Sequence, residues 1–333
     1  MEGLFDNYAD VVFLPADAIT ADIVRDADVL ITRTRTKCGP ALLEGSSVKL
    51  IASATIGTDH IDLPWCDSRG ILVRNAPGCN AGGVLEYVFC ALYAVASRRS
   101  IKLQGKTIGV VGVGNVGKRI VSMARALDFK VLQCDPPRAK AEGKFDFCDL
   151  DYLLENSDIV TMHVPLDKTT YRMCDDSFFG QMRPGAIFIN ASRGEVVDDA
   201  ALKRAIPKLG PVIIDTWNNE PDIDRELIDM VDIATPHIAG YSYQGKQNGT
   251  AAAVRTLSRF FGFEDLYEFF PATELPSLEA VKLELKGKRQ GEITSALQYN
   301  YPIFTDDFMF RMNPDAFESL RSHYQYRREF YVY

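Results

Sequence analysis

The sequence predicts an α/β protein: a doubly wound parallel sheet inserted in a smaller α/β lobe, followed by a short α+β module. Three observations carry this. Between residues 100 and 236, short apolar runs alternate with helical patterns, as in successive βα units. The first unit turns through a glycine-rich loop. From about residue 270 the composition shifts to Pro-punctuated stretches such as "FFPATELPS".

At 333 residues the chain exceeds one ordinary core and predicts two lobes with an appendage. Its net charge of −8, with no basic stripe, argues against a nucleic-acid partner. The start "MEGLFDNYAD" is acidic and lacks the apolar region of a targeting segment. The longest apolar stretch, "VLEYVFCALYAVA", carries Glu86 and is too short to span a bilayer, so no membrane role is expected. The seven cysteines (Cys38, Cys66, Cys79, Cys90, Cys134, Cys148, Cys174) are odd in number and form no CxxC pair. That pattern predicts neither a disulfide framework nor a metal site, but reduced thiols in the cytoplasm.

In chain order, the smaller lobe comes first. "ADVVFLP", "DADVLITRTRTK" and "VKLIASATIGTDHIDLPWCDSRGILVRNAPG" alternate strand and helix signals, with polar loops at 32–37 and 53–60. "AGGVLEYVFCALYAVASRR" predicts a helix with Val84, Val88, Leu92 and Val95 on one face. Next comes "KTIGVVGVGNVGKRIVSMARALDFKVLQCDPPR". Thr107 to Val111 read as a buried strand, and Gly112, Gly114 and Gly117 fit G-x-G-x-x-G, with Asn115 and Val116 between. A helix with Ile120, Met123, Ala124 and Leu127 follows, then a strand ending at Asp135. The glycines serve the tight turn, the approach of backbone to a pyrophosphate, and the packing of helix on strand. This is the Rossmann pattern for a dinucleotide. Asp135 stands where a carboxylate binds the adenosine ribose and repels a 2′-phosphate, which favours NAD. Nearby Arg138 argues mildly the other way.

Further strands are predicted near 158–164, 185–191, 211–217 and 231–236, with helices between. Ligands of such sheets bind at the carboxyl ends of the strands, which carry His163, Asn190 to Gly194, Asp215 to Glu220, and His237. "GTAAAVRTLSRFFG" predicts a second long helix, with Val254, Leu257 and Phe261 inward. The two long helices would carry the chain between lobes. The tail offers an amphipathic strand at Val281, Leu283 and Leu285, and one helix capped by Asn313, with Pro314 first and Phe317, Leu320 and Tyr324 on a stripe. So small a segment has no core of its own and is expected to be a homodimerisation module. The predicted division is 1–80 with 237–265 (substrate lobe), 81–236 (NAD lobe) and 270–333.

Six stretches, "ATIGTDHID", "GILVRNAPGCNAGGVLEYV", "GVVGVGNVGKR", "MRPGAIFINASRGEVVDDAAL", "DTWNNEP" and "TPHIAGYS", resemble the D-isomer-specific 2-hydroxyacid dehydrogenase family across residues 28–262. Shorter matches in "CDPPRA" and "FESLRSHYQYRREF" resemble members acting on a small phosphorylated hydroxyacid. The resemblance implies an NAD domain inserted in a flavodoxin-like substrate domain. It also implies catalysis by Arg193, Glu220 and His237. The guanidinium would grip the substrate's carboxylate and carbonyl oxygens, and the imidazole would move the hydroxyl proton. Glu220 would fix its tautomer. NAD would meet Gly112, Gly114, Asn115, Val116, Gly117, Asp135, Val164, Ala191, Ser192, Arg193, Asp215 and Gly240. Arg33, Thr34, Thr55 and Tyr241 are the expected substrate contacts, with Arg327 or Arg328 reaching in from a partner subunit. His60 and His163 are expected to be structural.

Two departures from the family stand out. Its substrate domain opens with a strand ahead of the first helix, whereas this chain opens within that helix, as if its start were shortened. "DTW" stands where "DVF" is common. Competing functions are action on 3-phosphoglycerate or on glyoxylate and hydroxypyruvate, and an NAD-sensing co-repressor without catalysis. No Cys/His cluster has the ligand spacing of a zinc alcohol dehydrogenase.

Overall fold

The computed structural model describes residues 3–332. They divide into two compact units: residues up to Asn80 with Gln244–Pro276, and Ala81–Tyr243 with the residues from Ser277 onward.

The first unit is built on a parallel sheet of β1 (Val29–Thr32), β2 (Leu50–Ser53) and β3 (Leu72–Arg74), in that order. Central β2 is wholly buried, with Ile51 packing among Val24, Leu43, Ile61 and Cys66 on one face. Leu50 meets Phe5, Val254, Leu257 and Leu266 on the other. Val254 and Leu257 belong to the helix Tyr243–Phe261, and Gly249 lets that helix approach β2. A Cβ there would lie 2.1 Å from the Ala54 carbonyl oxygen. Phe261, expected inward, is exposed one turn beyond this contact. The expected strand over "ADVVFLP" does not form. No sheet edge pairs with it, and Val12 and Phe13 lie in solvent.

The second unit holds a six-stranded sheet: β4 (Thr107–Val111), β5 (Lys130–Cys134), β6 (Ile159–Met162), β7 (Ile187–Asn190), β8 (Val212–Ile214) and β9 (Ile233–Ala234). All pairs are parallel, in the order β5-β4-β6-β7-β8-β9. Chain direction across the sheet reverses beside β4, with β5 to one side and β6 to the other. That is where such sheets open a ligand crevice at their carboxyl edge. The helix Ala81–Arg98 is buried almost throughout its first 16 residues, so it reads as a continuous apolar run instead of a stripe.

The tail departs from expectation. Besides β10 (Val281–Leu283) it contains helices Gln290–Asn300 and Ile303–Met312 and a strand β11 (Phe330–Val332), parallel to β10. Asn313 makes no side-chain cap. Pro314–Ala316 is a 3-10 turn, and the helix proper is Phe317–Ser322. Nor is the tail a module apart. Leu285, Ile293, Leu297, Tyr301 and Phe330 enter the core of Val88, Leu92 and Ile189, while Phe310 and Phe317 join Trp217, Leu227 and Ile228. The tail therefore shares the core of the larger unit, which also keeps residues 237–243 where 236 was the expected limit. Among the described residues, no helix is long and apolar enough to cross a membrane.

Candidate active site

The glycine loop follows β4. Gly112 has φ +84°, and a Cβ there would come 2.6 Å from the His163 carbonyl oxygen. A Cβ on Gly117 would meet the Gly112 carbonyl oxygen at 2.0 Å, so loop and helix Gly117–Ala126 close on one another. Gly114 differs: nothing lies within 4 Å of its Cβ direction, so the backbone is open to a ligand, with exposed Asn115 beside it. A diphosphate fits this cradle, at the positive end of the helix dipole.

Asp135 ends β5. One carboxylate oxygen accepts from the Val113 N–H at 2.8 Å and the other from the Arg138 N–H at 3.0 Å, capping the next helix. The carboxylate is thus fixed beside the glycine loop with acceptor capacity to spare. Arg138 is committed elsewhere, donating to the Val113 carbonyl at 2.6 Å and to both Glu142 oxygens at 2.7 and 2.6 Å. A guanidinium tied in this way does not offer a 2′-phosphate site. Val164, Ala191 and Ser192 stand just past β6 and β7.

At the end of β7, the Asn190 amide donates to the Arg193 carbonyl at 2.9 Å and its oxygen accepts from the Ser192 N–H and hydroxyl at 3.0 and 2.7 Å. This tight turn presents half-buried Arg193. Gly194 lies against the next loop: a Cβ would sit 2.0 Å from the Trp217 carbonyl. That loop carries Glu220. Its carboxylate accepts from the Trp217 N–H at 2.9 Å through Oε1 and pairs through Oε2 with His237 Nδ1 at 2.8 Å. Burial pushes the Glu220 carboxyl up, but the charge and hydrogen bond of His237 outweigh it and leave it below the usual value. With Nδ1 engaged, Nε2 of His237 is the nitrogen left for a substrate.

His237 itself has φ +54°, uncommon for a side chain of its size. Asp215 supports that geometry. Its carbonyl accepts from the His237 N–H at 2.7 Å, and its carboxylate accepts from the Thr235 hydroxyl at 2.7 Å and the Ile238 and Ala239 N–H groups at 2.9 Å each. Asp215, an expected cofactor contact, is fully buried, burial raises its carboxyl above the usual range, and its side chain anchors the 235–239 turn. His163 sits against the Thr161 hydroxyl at 2.9 Å, and burial lowers its imidazole to about 3, which keeps it neutral. His60 lies in the first unit and is lowered by burial, and His323 is exposed.

No local pattern in the tail announced its part here. Arg327 is buried, stacks 4.2 Å from the Tyr301 ring centroid, and donates to the carbonyls of Gly83, Ile238, Ala239 and Tyr241. It stands 3.7 Å from the buried carboxylate of Glu86, which also accepts from the Phe330 N–H. Arg327 therefore clamps the loop of its own chain that follows His237, where a reach from a partner subunit was expected. Tyr241 stacks on Tyr326 with centroids 5.6 Å apart.

The expected substrate contacts Arg33, Thr34 and Thr55 belong to the first unit and Tyr241 to the second. Within the first unit, Arg33, Thr32, Thr36, Lys246 and Thr250 line a cavity of about 260 Å3. Thr34 is exposed and does not line it, and Thr55 bonds the Ser53 hydroxyl at 2.9 Å. Thr250, one turn beyond Lys246 on the helix Tyr243–Phe261, escaped the sequence because it lies far from "TRTRTK" in the chain. Among the described residues no group of His, Cys, Asp and Glu could hold a metal.

Residues 93–239 match the D-isomer specific 2-hydroxyacid dehydrogenase, NAD binding domain. The chain belongs to this family of NAD-dependent oxidoreductases. Among its relatives, the erythronate-4-phosphate dehydrogenase of Bacteroides fragilis is 43% identical over 326 residues, 96% of this chain and 91% of its own. That of Porphyromonas gingivalis is 41% identical over 99% of this chain and 90% of its own. The structure of D-lactate dehydrogenase from Aquifex aeolicus with NAD and lactic acid superposes with a TM-score of 0.63. It is 26% identical and covers 77% of this chain and 91% of its own.

Replacing Asp135 by Ala is expected to weaken NAD binding and narrow its advantage over NADP, read by fluorescence titration of both cofactors. Equal affinity of the unaltered protein for the two would refute the assignment.

Proposed function

We propose that the protein oxidises erythronate 4-phosphate at its 2-hydroxyl, with NAD, to 2-oxo-3-hydroxy-4-phosphobutanoate. The observation that carries this is the His237–Glu220 pair, 2.8 Å apart at the carboxyl edge of the sheet, in a chain over 40% identical to erythronate-4-phosphate dehydrogenases. We read this reaction as a step of pyridoxal 5′-phosphate biosynthesis, and the free cysteines suit a reducing cytoplasm.

Bound NAD supplies the hydride acceptor. Nε2 of His237 takes the proton of the substrate's 2-hydroxyl, while Glu220 at Nδ1 holds the tautomer and stabilises the imidazolium that forms. Arg193 grips the C1 carboxylate and the oxygen becoming a carbonyl, where its forked donors match two acceptors. In the opposite direction the imidazolium returns the proton. Arg33, with Lys246 and the hydroxyls of Thr36 and Thr250, forms the phosphate site, and Thr55 and Tyr241 contact the substrate's middle. Two cations and several hydroxyls in one cavity suit a dianion. We also infer a homodimer joined through the tail, because Phe308, Met309 and Met312 stay exposed at 59%, 51% and 67% on one helix.

His237→Gln is expected to lower turnover by roughly 10²-fold or more with NAD binding nearly unchanged. Turnover near normal would remove His237 from proton transfer. Arg33→Ala is expected to raise KM for erythronate 4-phosphate by about 10- to 150-fold, the equivalent of ~1.5–3 kcal/mol for a charge-assisted contact. An unphosphorylated 2-hydroxyacid loses far less. Equal losses on both substrates would mean that Arg33 supports the fold. Light scattering is expected to give the mass of two chains, reduced to one by Phe308→Glu. A single-chain mass for the unaltered protein excludes the dimer.

A further inference from the structure

We propose that Arg327, contributed by the C-terminal tail, is a positioning residue for His237 and sets the rate of the chemical step. The proposal rests on the reading of His237 as the proton-transfer group. A base whose backbone sits at φ +54° keeps its aim only while the peptide groups beside it cannot rotate. Asp215 fixes one edge of those groups, because its two carboxylate oxygens accept from the Ile238 and Ala239 N–H groups at 2.9 Å each. Arg327 fixes the opposite edge. Its Nη1 donates to the Ile238 carbonyl at 3.2 Å and its Nη2 to the Ala239 carbonyl. The peptide plane that joins Ile238 to Ala239 is therefore held at its N–H by a carboxylate and at its oxygen by a guanidinium.

The same guanidinium ties this turn to two further points. Nη1 also donates to the Tyr241 carbonyl at 3.1 Å, and Nη2 to the Gly83 carbonyl at 2.9 Å, in the first turn of the helix Ala81–Arg98. Carbonyls spaced in this way call for a planar fork of donors. Arginine has one, and lysine, a point charge on a flexible stem, does not. The fork has little room to drift. Its side chain is 7% exposed, lies 4.2 Å from the Tyr301 ring centroid and stands 3.7 Å from the wholly buried Glu86. Burying such a pair adds little stability, since well-packed apolar residues often do as well or better in its place. What apolar residues lack is a set of donors aimed at the segment beside His237.

The docking of the tail does not depend on this side chain. The Arg327 carbonyl accepts from the Tyr243 N–H at 2.8 Å, and the Glu329 carbonyl accepts from the Val281 N–H at 2.8 Å. β11 pairs with β10, and Phe330 is buried in the core. The Glu329 carboxylate accepts from the Ser242 hydroxyl at 2.7 Å. A side-chain change at 327 therefore releases the carbonyl edge of the turn and leaves the tail in place. The imidazole then samples orientations turned away from the substrate. A displacement on the order of 1 Å costs up to about 10²-fold in a positioned reaction.

The test uses the full chain in stopped flow, with enzyme and NAD in excess over erythronate 4-phosphate, so that NADH forms in a single turnover. The amplitude reports how many sites are competent, and the rate constant reports the chemical step. Arg327→Lys is expected to slow that rate constant about 10- to 100-fold, with amplitude and NAD affinity close to those of the unaltered protein. Glu86→Gln is the control for core stability. It keeps an acceptor for the Phe330 N–H and the fork of Arg327, so it weakens the buried pair and leaves the rate constant in place. An unchanged rate constant in Arg327→Lys overturns the proposal, whatever happens to amplitude or melting temperature. Equal slowing in both variants also overturns it, because loss of core stability then accounts for the effect. Should Arg327→Lys not fold, Glu86→Gln combined with Arg327→Met decides, since that pair buries no unpaired charge. Slow transfer at full amplitude supports the proposal, and a normal rate constant overturns it. His237→Gln separates the two levels. If it keeps the rate constant, the acid–base reading fails and this proposal with it, whereas a slow His237→Gln beside a normal Arg327→Lys refutes this proposal alone.

Discussion

The carboxylate of Asp215 is the fixed point on which the site depends. It is removed from water, a cost met by three hydrogen bonds from the turn that follows β9. Those bonds, with the one from the His237 N–H to the Asp215 carbonyl, hold His237 in a left-handed backbone conformation that an isolated chain would seldom visit. The imidazole consequently meets Glu220 from a backbone that has almost no freedom to turn away. Tyr87, paired with Thr235 at 2.7 Å, extends the same network into the core.

A second set of contacts comes from the other end of the chain. Arg327 replaces the hydrogen bonds that the carbonyls of Ile238, Ala239 and Tyr241 would otherwise make to water, and Glu86 neutralises its charge inside the core. Ser242 donates to Glu329 at 2.7 Å, and Gly82 leaves room for that carboxylate. The turn carrying His237 is thus held from below by the sheet and from outside by the tail.

How legible this was in the sequence depended on the range of the interaction. The glycine loop could be read because strand, turn, helix and Asp135 are contiguous, and periodicity marks each one. The helices Gln290–Asn300 and Ile303–Met312 were missed because their buried residues, Ile293 and Leu297, Ile303 and Phe310, are sparse, while Phe308 and Met309 face solvent. Glu86 looked like a polar interruption of an apolar helix. Its meaning lies in Arg327, which no local pattern connects to it. Glu220 and His237 could be placed at strand ends from the pattern, but their pairing came only through a family resemblance, since their hydrogen bond spans two loops after different strands. Thr250 belongs to the same class of long-range neighbour and left no local mark.

Arg327 leaves the ribosome well after His237. A nascent chain that has already threaded β4 through β9 still carries the turn of His237 without the guanidinium that clamps it, and the helix Ala81–Arg98 holds Glu86 without a counterion. Synthesis thus imposes an order on maturation: the parallel sheet is available first, and the competent turn only once the far end has come back to it. Until then a buried acid has nothing to neutralise it, so the last segment completes the core and the turn of His237 together.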